Sequence, residues 1–276
     1  MSKRGDIYLR RDIERAWGDD PFAKARAQQG EIFRDKENRR TLRFQLAERG
    51  YFLKLHQGVG WLEIFKNLLH LRLPVIGASN EYAAIRCLEK VGVDTLSVAG
   101  YGKRGRNPAR QLSFLVTDEL QQVESLEDFC ARWPQQPPGY TQKRVLIGKV
   151  ATLSRTLHDQ GMNHRDYYLC HLLLDVREPV TAANIRAKKL YVMDLHRAQI
   201  RRRVPRRWLV KDLGALYYSA LEIGLTQRDV LRFIRVYSGL PLNQTLRADS
   251  GLWRAVRMRA AKIYRRDFGR EPVFPL

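Results

Sequence analysis

Four short stretches carry side chains that could do chemistry together. The densest is Asn163-His164-Arg165-Asp166-Tyr167-Tyr168-Leu169-Cys170-His171. Downstream, Met193-Asp194-Leu195-His196 closes an apolar run. Upstream stand Lys54, inside Tyr51-Phe52-Leu53-Lys54-Leu55-His56, and Glu81, after Ser79-Asn80. A carboxylate in such a set can accept a proton from a hydroxyl or hold a hard cation. A lysine can neutralise an anionic group. Taken singly, each has a plain explanation: a solvated strand lysine, a glutamate near a helix N-terminus, a turn aspartate. The argument for more lies in the elements that must position them.

Residues 31–56 read as an antiparallel meander. Glu31-Ile32-Phe33-Arg34 leads into polar Asp35 to Arg39, after which Leu42, Phe44 and Leu46 alternate with Arg43 and Gln45. Ala47-Glu48-Arg49-Gly50 is a turn, and Tyr51 to His56 is a third strand carrying Lys54. Gly58 and Gly60 open a loop before a helix from Trp61 to Leu71, ended by Pro74 and Gly77. Ser79 or Asn80 caps a helix from Glu81 to Val91, with Gly92 as its stop. Leu112 to Thr117 is strand-like. Ser125 starts a short helix, Leu126 to Trp133, and Pro134, Pro137 and Pro138 break the chain there.

Beyond the prolines the character turns helical. Leu146, Val150, Leu153 and Leu157 line one face of a long helix that Gly161 stops. Leu172 to Leu174 and Leu190 to Met193 are short strands around the polar segment 175–189. From Leu209 onward the pattern is helix, interrupted at Gly224, Gly239-Leu240-Pro241 and Gly251. The fold class is therefore α+β in two lobes. Residues 1–30 form an N-terminal extension, 31–120 a β-rich N-lobe, and 121–276 a mainly helical C-lobe.

The order strand lysine, helix glutamate, apolar strand, long helix, His-Arg-Asp loop, strand pair, aspartate resembles the protein-kinase fold. That resemblance implies phosphoryl transfer, which needs positioning, charge neutralisation and an acceptor for the attacking hydroxyl's proton. Asp166, flanked by Arg165, would take the proton. Lys54 would neutralise phosphate charge and Glu81 would hold Lys54. Asp194 would hold Mg²⁺. Asp118, which closes the Leu112–Thr117 strand, joins Lys54 and Glu81 among the residues implied to meet ATP.

Longer strings are more specific. Tyr51-Phe52-Leu53-Lys54, Gly58-Val59-Gly60-Trp61, Glu63-Ile64-Phe65-Lys66-Asn67-Leu68-Leu69, Arg72-Leu73-Pro74-Val75 and Gly92-Val93-Asp94-Thr95 resemble the lipopolysaccharide core heptose(I) kinase family. Asn163-His164-Arg165-Asp166, Asp194-Leu195-His196-Arg197-Ala198, Val204-Pro205-Arg206-Arg207-Trp208 and Asp229-Val230-Leu231-Arg232-Phe233 continue the likeness, which runs from Glu31 to Leu242. It implies a cytoplasmic bacterial enzyme that moves the γ-phosphate of ATP onto the first heptose of the inner core, at its 4-hydroxyl.

Several positions depart from the general kinase pattern. No Gly-x-Gly-x-x-Gly joins the first two strands; Asp35 to Arg40 stands there, so Arg39 and Arg40 are the candidate phosphate ligands. Five residues after Asp166, where kinases carry a metal-binding asparagine, stands His171. It is a candidate for the metal or for a phosphate, although imidazole suits magnesium poorly. Leu195 and His196 follow Asp194 in place of Phe and Gly. Glu63 is a rival partner for Lys54. Asp212 resembles the helical aspartate that braces the catalytic loop in kinase-like folds.

Lys plus Arg total 50 against 29 Asp plus Glu, a formal charge of +21 over 276 residues. Such a surplus asks for anionic company. Arg197, Arg201, Arg202, Arg203, Arg206 and Arg207 follow Asp194, where a kinase meets its acceptor. Arginine forks suit the carboxylates and phosphates of a core oligosaccharide. A second basic group, Arg254, Arg257, Arg259, Lys262, Arg265 and Arg266, lies on a C-terminal helix. An anionic membrane face or a small acidic protein such as an acyl carrier protein could use either patch.

Composition excludes other classes. With 44% hydrophobic residues the chain is no disordered basic tail. Cys87, Cys130 and Cys170 are widely spaced, which argues against a disulfide framework or a zinc site and fits a reducing cytosol. Neither a signal peptide nor a membrane-spanning run is evident, so the expected location is cytoplasmic, with a peripheral hold on the inner membrane. Two competing readings remain: a kinase for another sugar or a protein hydroxyl, and a nucleic-acid-binding protein on a degenerate kinase fold. A pure binding module has no need of Lys54, Asp166 and Asp194 together, which argues against the second.

Overall fold

The computed structural model describes residues 6–36, 38–58, 60–61 and 77–275. The expected helix from Trp61 to Leu71 lies almost wholly outside them, as does Glu63. The chain divides into two compact units. One comprises residues 1–86 and 96–121, the other 87–95 and 122–276.

The first unit is built on a six-stranded antiparallel sheet. Its strands are β1 (Asp6–Leu9), β2 (Glu31–Lys36), β3 (Arg39–Leu46), β4 (Arg49–His56), β5 (Val98–Arg104) and β6 (Leu112–Asp118), in spatial order β1-β5-β6-β4-β3-β2. The meander read between residues 31 and 56 is β2-β3-β4, with Thr41 opposite Lys54 and Lys54 opposite Leu115. Period two decides what each face does. Leu42, Phe44, Tyr51, Leu53 and Leu55 turn to one side, where they pack with Ile13, Trp17, Phe22 and Phe114. Lys54, between Leu53 and Leu55, turns to the other.

The N-terminal residues do more than extend the chain. β1 pairs with β5, and the helices α1 (Arg11–Trp17) and α2 (Pro21–Ala27) supply Ile13, Trp17, Phe22 and Ala25 to the core. Asp20 caps α2 through the amides of Phe22 and Ala23, with Pro21 at the first helical position. α3 (Ser79–Lys90) begins two residues earlier than the apolar pattern suggested and ends before Gly92, whose φ of +72° is the left-handed conformation glycine adopts without strain.

In the second unit, β7 (Val123–Ser125) leads into α4 (Leu126–Cys130), whose N-cap Ser125 accepts from the amide of Asp128. The helix expected to reach Trp133 stops at Cys130, and Ala131 to Gln136, Pro134 among them, turn before Pro137 and Pro138. α5 (Tyr140–Asp159) is the long helix, with Leu146, Val150, Leu153 and Leu157 buried along one face. β8 (Met162–Asn163), β9 (Leu172–Asp175), β10 (Leu190–Val192) and β11 (Gln199–Ile200) form the small sheets β10-β9-β7 and β11-β8. The helices α6 (Arg206–Ser219), α7 (Gln227–Ser238), α8 (Leu242–Ala248) and α9 (Ser250–Phe268) complete the unit. α6 starts at Arg206, three residues before the expected Leu209, because Pro205 is preset for a helix entry. The α+β class, with a sheet-built N-terminal part and a helical C-terminal part, is thus observed. Among the described residues, no helix is long and apolar enough to cross a membrane.

Candidate active site

Lys54 and Glu81 meet in the first unit. The Nζ of Lys54 lies 2.6 Å from Oε1 of Glu81, whose side chain is 1% exposed. A carboxylate buried to this degree requires a charged partner, and the strand register delivers one. Arg39 and Arg40 stand on β3 opposite His56 and Leu55, the two ladder positions that follow the Thr41–Lys54 pair on the strand carrying Lys54. They follow a tight turn at Asn38, whose φ is +60°, so a hairpin takes the place of a glycine loop. Asp118 sits apart from this group. Its two oxygens accept from the guanidinium of Arg10 at 2.6 and 2.7 Å, and Arg10 also binds Asp12, which accepts from the hydroxyl of Tyr51. Asp118 therefore ties the N-terminal segment to the sheet.

The second unit gathers the rest. The loop after β8 turns at Arg165, whose φ is +77°. Asp212, 1% exposed on α6, accepts from the amides of His164 at 2.6 Å and Arg165 at 2.9 Å. These bonds fix a backbone bend that a non-glycine residue would otherwise resist. His158 supports Asp212 from below, with Nε2 at 3.5 Å and Nδ1 bonded to the hydroxyl of Tyr237 at 2.8 Å.

His164 links two loops. Its Nδ1 accepts from the amide of Asp166 at 3.3 Å, so the proton sits on Nε2 and is donated to the carbonyl of Met193 at 2.9 Å. Complete burial lowers its pKa, which keeps the ring neutral in this role. The next residue, Asp194, has φ +59° and accepts from Nδ1 of His196 at 2.7 Å. His171 donates through Nδ1 to the carbonyl of Asp166 at 2.6 Å and turns Nε2 toward Asp194 at 3.7 Å. Its contact with Cys170, opposed by burial and assisted by Asp166 and Asp194, raises its pKa to about 9. A ring donating at Nδ1 and facing a carboxylate at Nε2 is placed as a hydrogen-bond donor more than as a metal ligand.

The arginines after Asp194 divide. Arg197 reaches back to Asp166, with one guanidinium nitrogen 2.9 and 3.0 Å from the two carboxylate oxygens. Arg201 bonds the side chains of Asn163 and Gln199. Arg202, Arg203, Arg206 and Arg207 are exposed. Sequence reasoning missed His158 and Tyr237, whose roles arise from helix packing, and the position of Trp208 among cations.

A model of the lipopolysaccharide kinase (Kdo/WaaP) family matches residues 23–237. The chain belongs to this family. Among relatives, a lipopolysaccharide core heptose(I) kinase WaaP of Pseudomonas aeruginosa is 49% identical over 261 residues, covering 94% of this chain and 96% of its own. A protein of the same name from Escherichia coli strain K12 is 48% identical over 94% of this chain and 97% of its own. A solved structure of WaaP in complex with acyl carrier protein superposes with a TM-score of 0.82 at 43% identity, covering 94% of this chain and 99% of that one.

This Kdo/WaaP chain offers one kind of donor set for a metal. Asp194 supplies hard carboxylate oxygens, and among the described residues no three His, Cys, Asp or Glu side chains gather around a point. A single carboxylate fits Mg²⁺, which keeps several waters and shares substrate phosphates. It does not fit zinc or another self-standing metal centre.

Proposed function

We propose that this chain transfers the γ-phosphate of ATP to the first heptose of the lipopolysaccharide inner core, at the 4-hydroxyl. The observation that carries this reading is the Asp212 brace. It fixes the backbone just before Asp166, so that a carboxylate paired only with the side chain of Arg197 is presented from a strained turn, where an acceptor hydroxyl that displaces or shares the arginine can reach it. The names borne by relatives over nearly the whole chain support the same reaction.

Each side chain then has a task. Asp166 takes the proton of the attacking hydroxyl, beside the positive charge of Arg165. Lys54, held by Glu81, neutralises phosphate charge, assisted by Arg39 and Arg40. His171 donates a hydrogen bond to a phosphate oxygen. Asp194 holds Mg²⁺, which when bound neutralises the phosphates further. Arg197, Arg201, Arg202, Arg203, Arg206 and Arg207 meet the acidic groups of the acceptor.

An acyl carrier protein is a fitting partner. The second unit holds an apolar cavity of about 520 Å³ whose lining includes Leu146, Val150, Leu216, Ile234, Arg254 and Arg257. An acidic protein bearing an aliphatic chain suits such a space beside basic α9. The enzyme works in the cytoplasm, and the basic surface gives it a peripheral, salt-sensitive hold on anionic lipid.

The test is mass spectrometry of core oligosaccharide incubated with the protein, ATP and Mg²⁺. The reading requires a gain of one phosphate on the first heptose. An unmodified acceptor, or phosphate on another sugar, would refute it.

A further inference from the structure

The indole of Trp208, near the start of α6, is surrounded by four cations. Lys211 Nζ lies 4.2 Å from the ring centroid, and the guanidinium carbons of Arg165, Arg207 and Arg201 lie at 5.2, 5.6 and 5.8 Å. They come from three parts of the chain: the loop before Asp166, the residue after β11, and the first turns of α6. Like charges gathered on one ring repel, and solvated arginines commonly take up carboxylates.

These do not. Among the described residues, Arg165, Arg207 and Lys211 have no carboxylate within ion-pair reach. Arg201 spends its donors on neutral side-chain oxygens of Asn163 and Gln199. The two acids nearby are committed: Asp166 to Arg197, and Asp212 to the amides of His164 and Arg165. The Nε of Arg165 is buried without a partner. Partial desolvation, with neighbouring positive charge behind it, lowers the pKa of Arg165 and, although its side chain is exposed, of Lys211. The aromatic ring holds cations close by without neutralising them. Among the described residues, no uncommitted carboxylate balances this charge.

We propose that Arg165, Arg201, Arg207 and Lys211, arrayed around Trp208, form an oxyanion subsite that holds an acidic group of the acceptor saccharide. This rests on the kinase reading and names the part of the acceptor that is recognised. The subsite belongs to the acceptor because Arg165 precedes Asp166, the residue facing the attacking hydroxyl. Its ligand is a carboxylate or phosphate on a sugar next to the reacting one, since guanidinium forks take either. Lys211 and Trp208 are then specificity-determining residues.

The experiment uses the full chain and Lys211→Gln, a change at an exposed position. Transfer is measured with three acceptors: intact core oligosaccharide, the same with its carboxyls reduced, and the same dephosphorylated. Lys211→Gln should raise the acceptor KM about tenfold on the intact acceptor, with the ATP KM unchanged. The penalty should vanish on the acceptor that lacks the recognised group, which identifies carboxylate or phosphate. An equal penalty on all three acceptors, or none on the intact one, would overturn the subsite.

A second arm does not depend on turnover. Tryptophan fluorescence is titrated with inorganic pyrophosphate. The wild-type response should disappear in Trp208→Phe and need about tenfold more ligand in Lys211→Gln. Loss of wild-type heptose transfer with this response intact would refute the kinase reading and keep the anion subsite. Absence of a Trp208-dependent response would refute the subsite itself.

Discussion

One guanidinium nitrogen of Arg197 lies across both carboxylate oxygens of Asp166, at 2.9 and 3.0 Å. The two residues are 31 positions apart in sequence, and both side chains are partly exposed. The contact sets a guanidinium against the carboxylate proposed to take the acceptor's proton. It also occupies the oxygens that a hydroxyl must reach, so acceptor binding has to share or displace the arginine.

Arg197→Gln should therefore act on the chemical step and on the acceptor together. We expect kcat to fall about tenfold to a hundredfold and the acceptor KM to rise, with the ATP KM within twofold of wild type. Steady-state kinetics with each substrate varied in turn checks this. A rise in the ATP KM alone would assign Arg197 to the nucleotide.

The Lys54–Glu81 pair makes a prediction about stability as well as activity. Among the described residues, Lys54 is the charged partner of a carboxylate that is 1% exposed. Lys54→Met should destabilise the fold by about 3 kcal/mol, because it leaves the carboxylate buried and unpaired. Lys54→Met with Glu81→Met should recover most of that stability and none of the activity. Denaturant melts and transfer assays on the single and double variants measure both parts.

Asp212 should behave as a positioning residue. Asp212→Ala leaves the amides of His164 and Arg165 without an acceptor and frees a turn held at φ +77°. We expect kcat to fall more than a hundredfold while both KM values change little. Asp212→Asn, which keeps one acceptor oxygen, should recover part of kcat. Kinetics of the two variants side by side distinguish this from a general loss of fold.

The Arg10, Asp12, Asp118 and Tyr51 cluster predicts a pH dependence. Hydrogen bonding to Arg10 lowers the pKa of Asp12 well below its ordinary value of 3.8. A depressed folded pKa means stability that is present above that ordinary value and lost as the pH falls through the folded one. The wild type should lose stability on acidification below about pH 4, and Arg10→Ala should flatten that part of the curve. Thermal melts between pH 2 and pH 6 read it. Asp118→Asn should lower the melting temperature and leave the ATP KM unchanged; a raised KM would return Asp118 to the nucleotide.

Some of this was legible because the signals are local. The meander shows its period of two in Leu42, Phe44, Leu53 and Leu55, and the His164-Arg165-Asp166 loop lies between a long amphipathic helix and a short strand. β5 escaped notice because Gly100 and Gly102 break its pattern. A Cβ on Gly102 would come within 2.3 Å of the Phe114 ring, so packing against β6 excludes the side chain that would have marked a strand. β1 is four residues long and gains its meaning from β5, more than ninety positions later. Asp20-Pro21 has the residue types of a helix start, but the seven residues of α2 are too few to show a helical period behind it. The contacts of Arg197 with Asp166 and of four cations with Trp208 join distant stretches and have no local signature.

The central claim is that Asp166 accepts the proton of a heptose hydroxyl during phosphate transfer. Its most direct test is quantitative mass spectrometry of core oligosaccharide after incubation with ATP, Mg²⁺ and either wild type or Asp166→Asn. The variant should fold and melt like the wild type and transfer at least a thousandfold less, on the order expected for removal of a general base. Phosphate added to the first heptose at a near wild-type rate by Asp166→Asn would contradict the account.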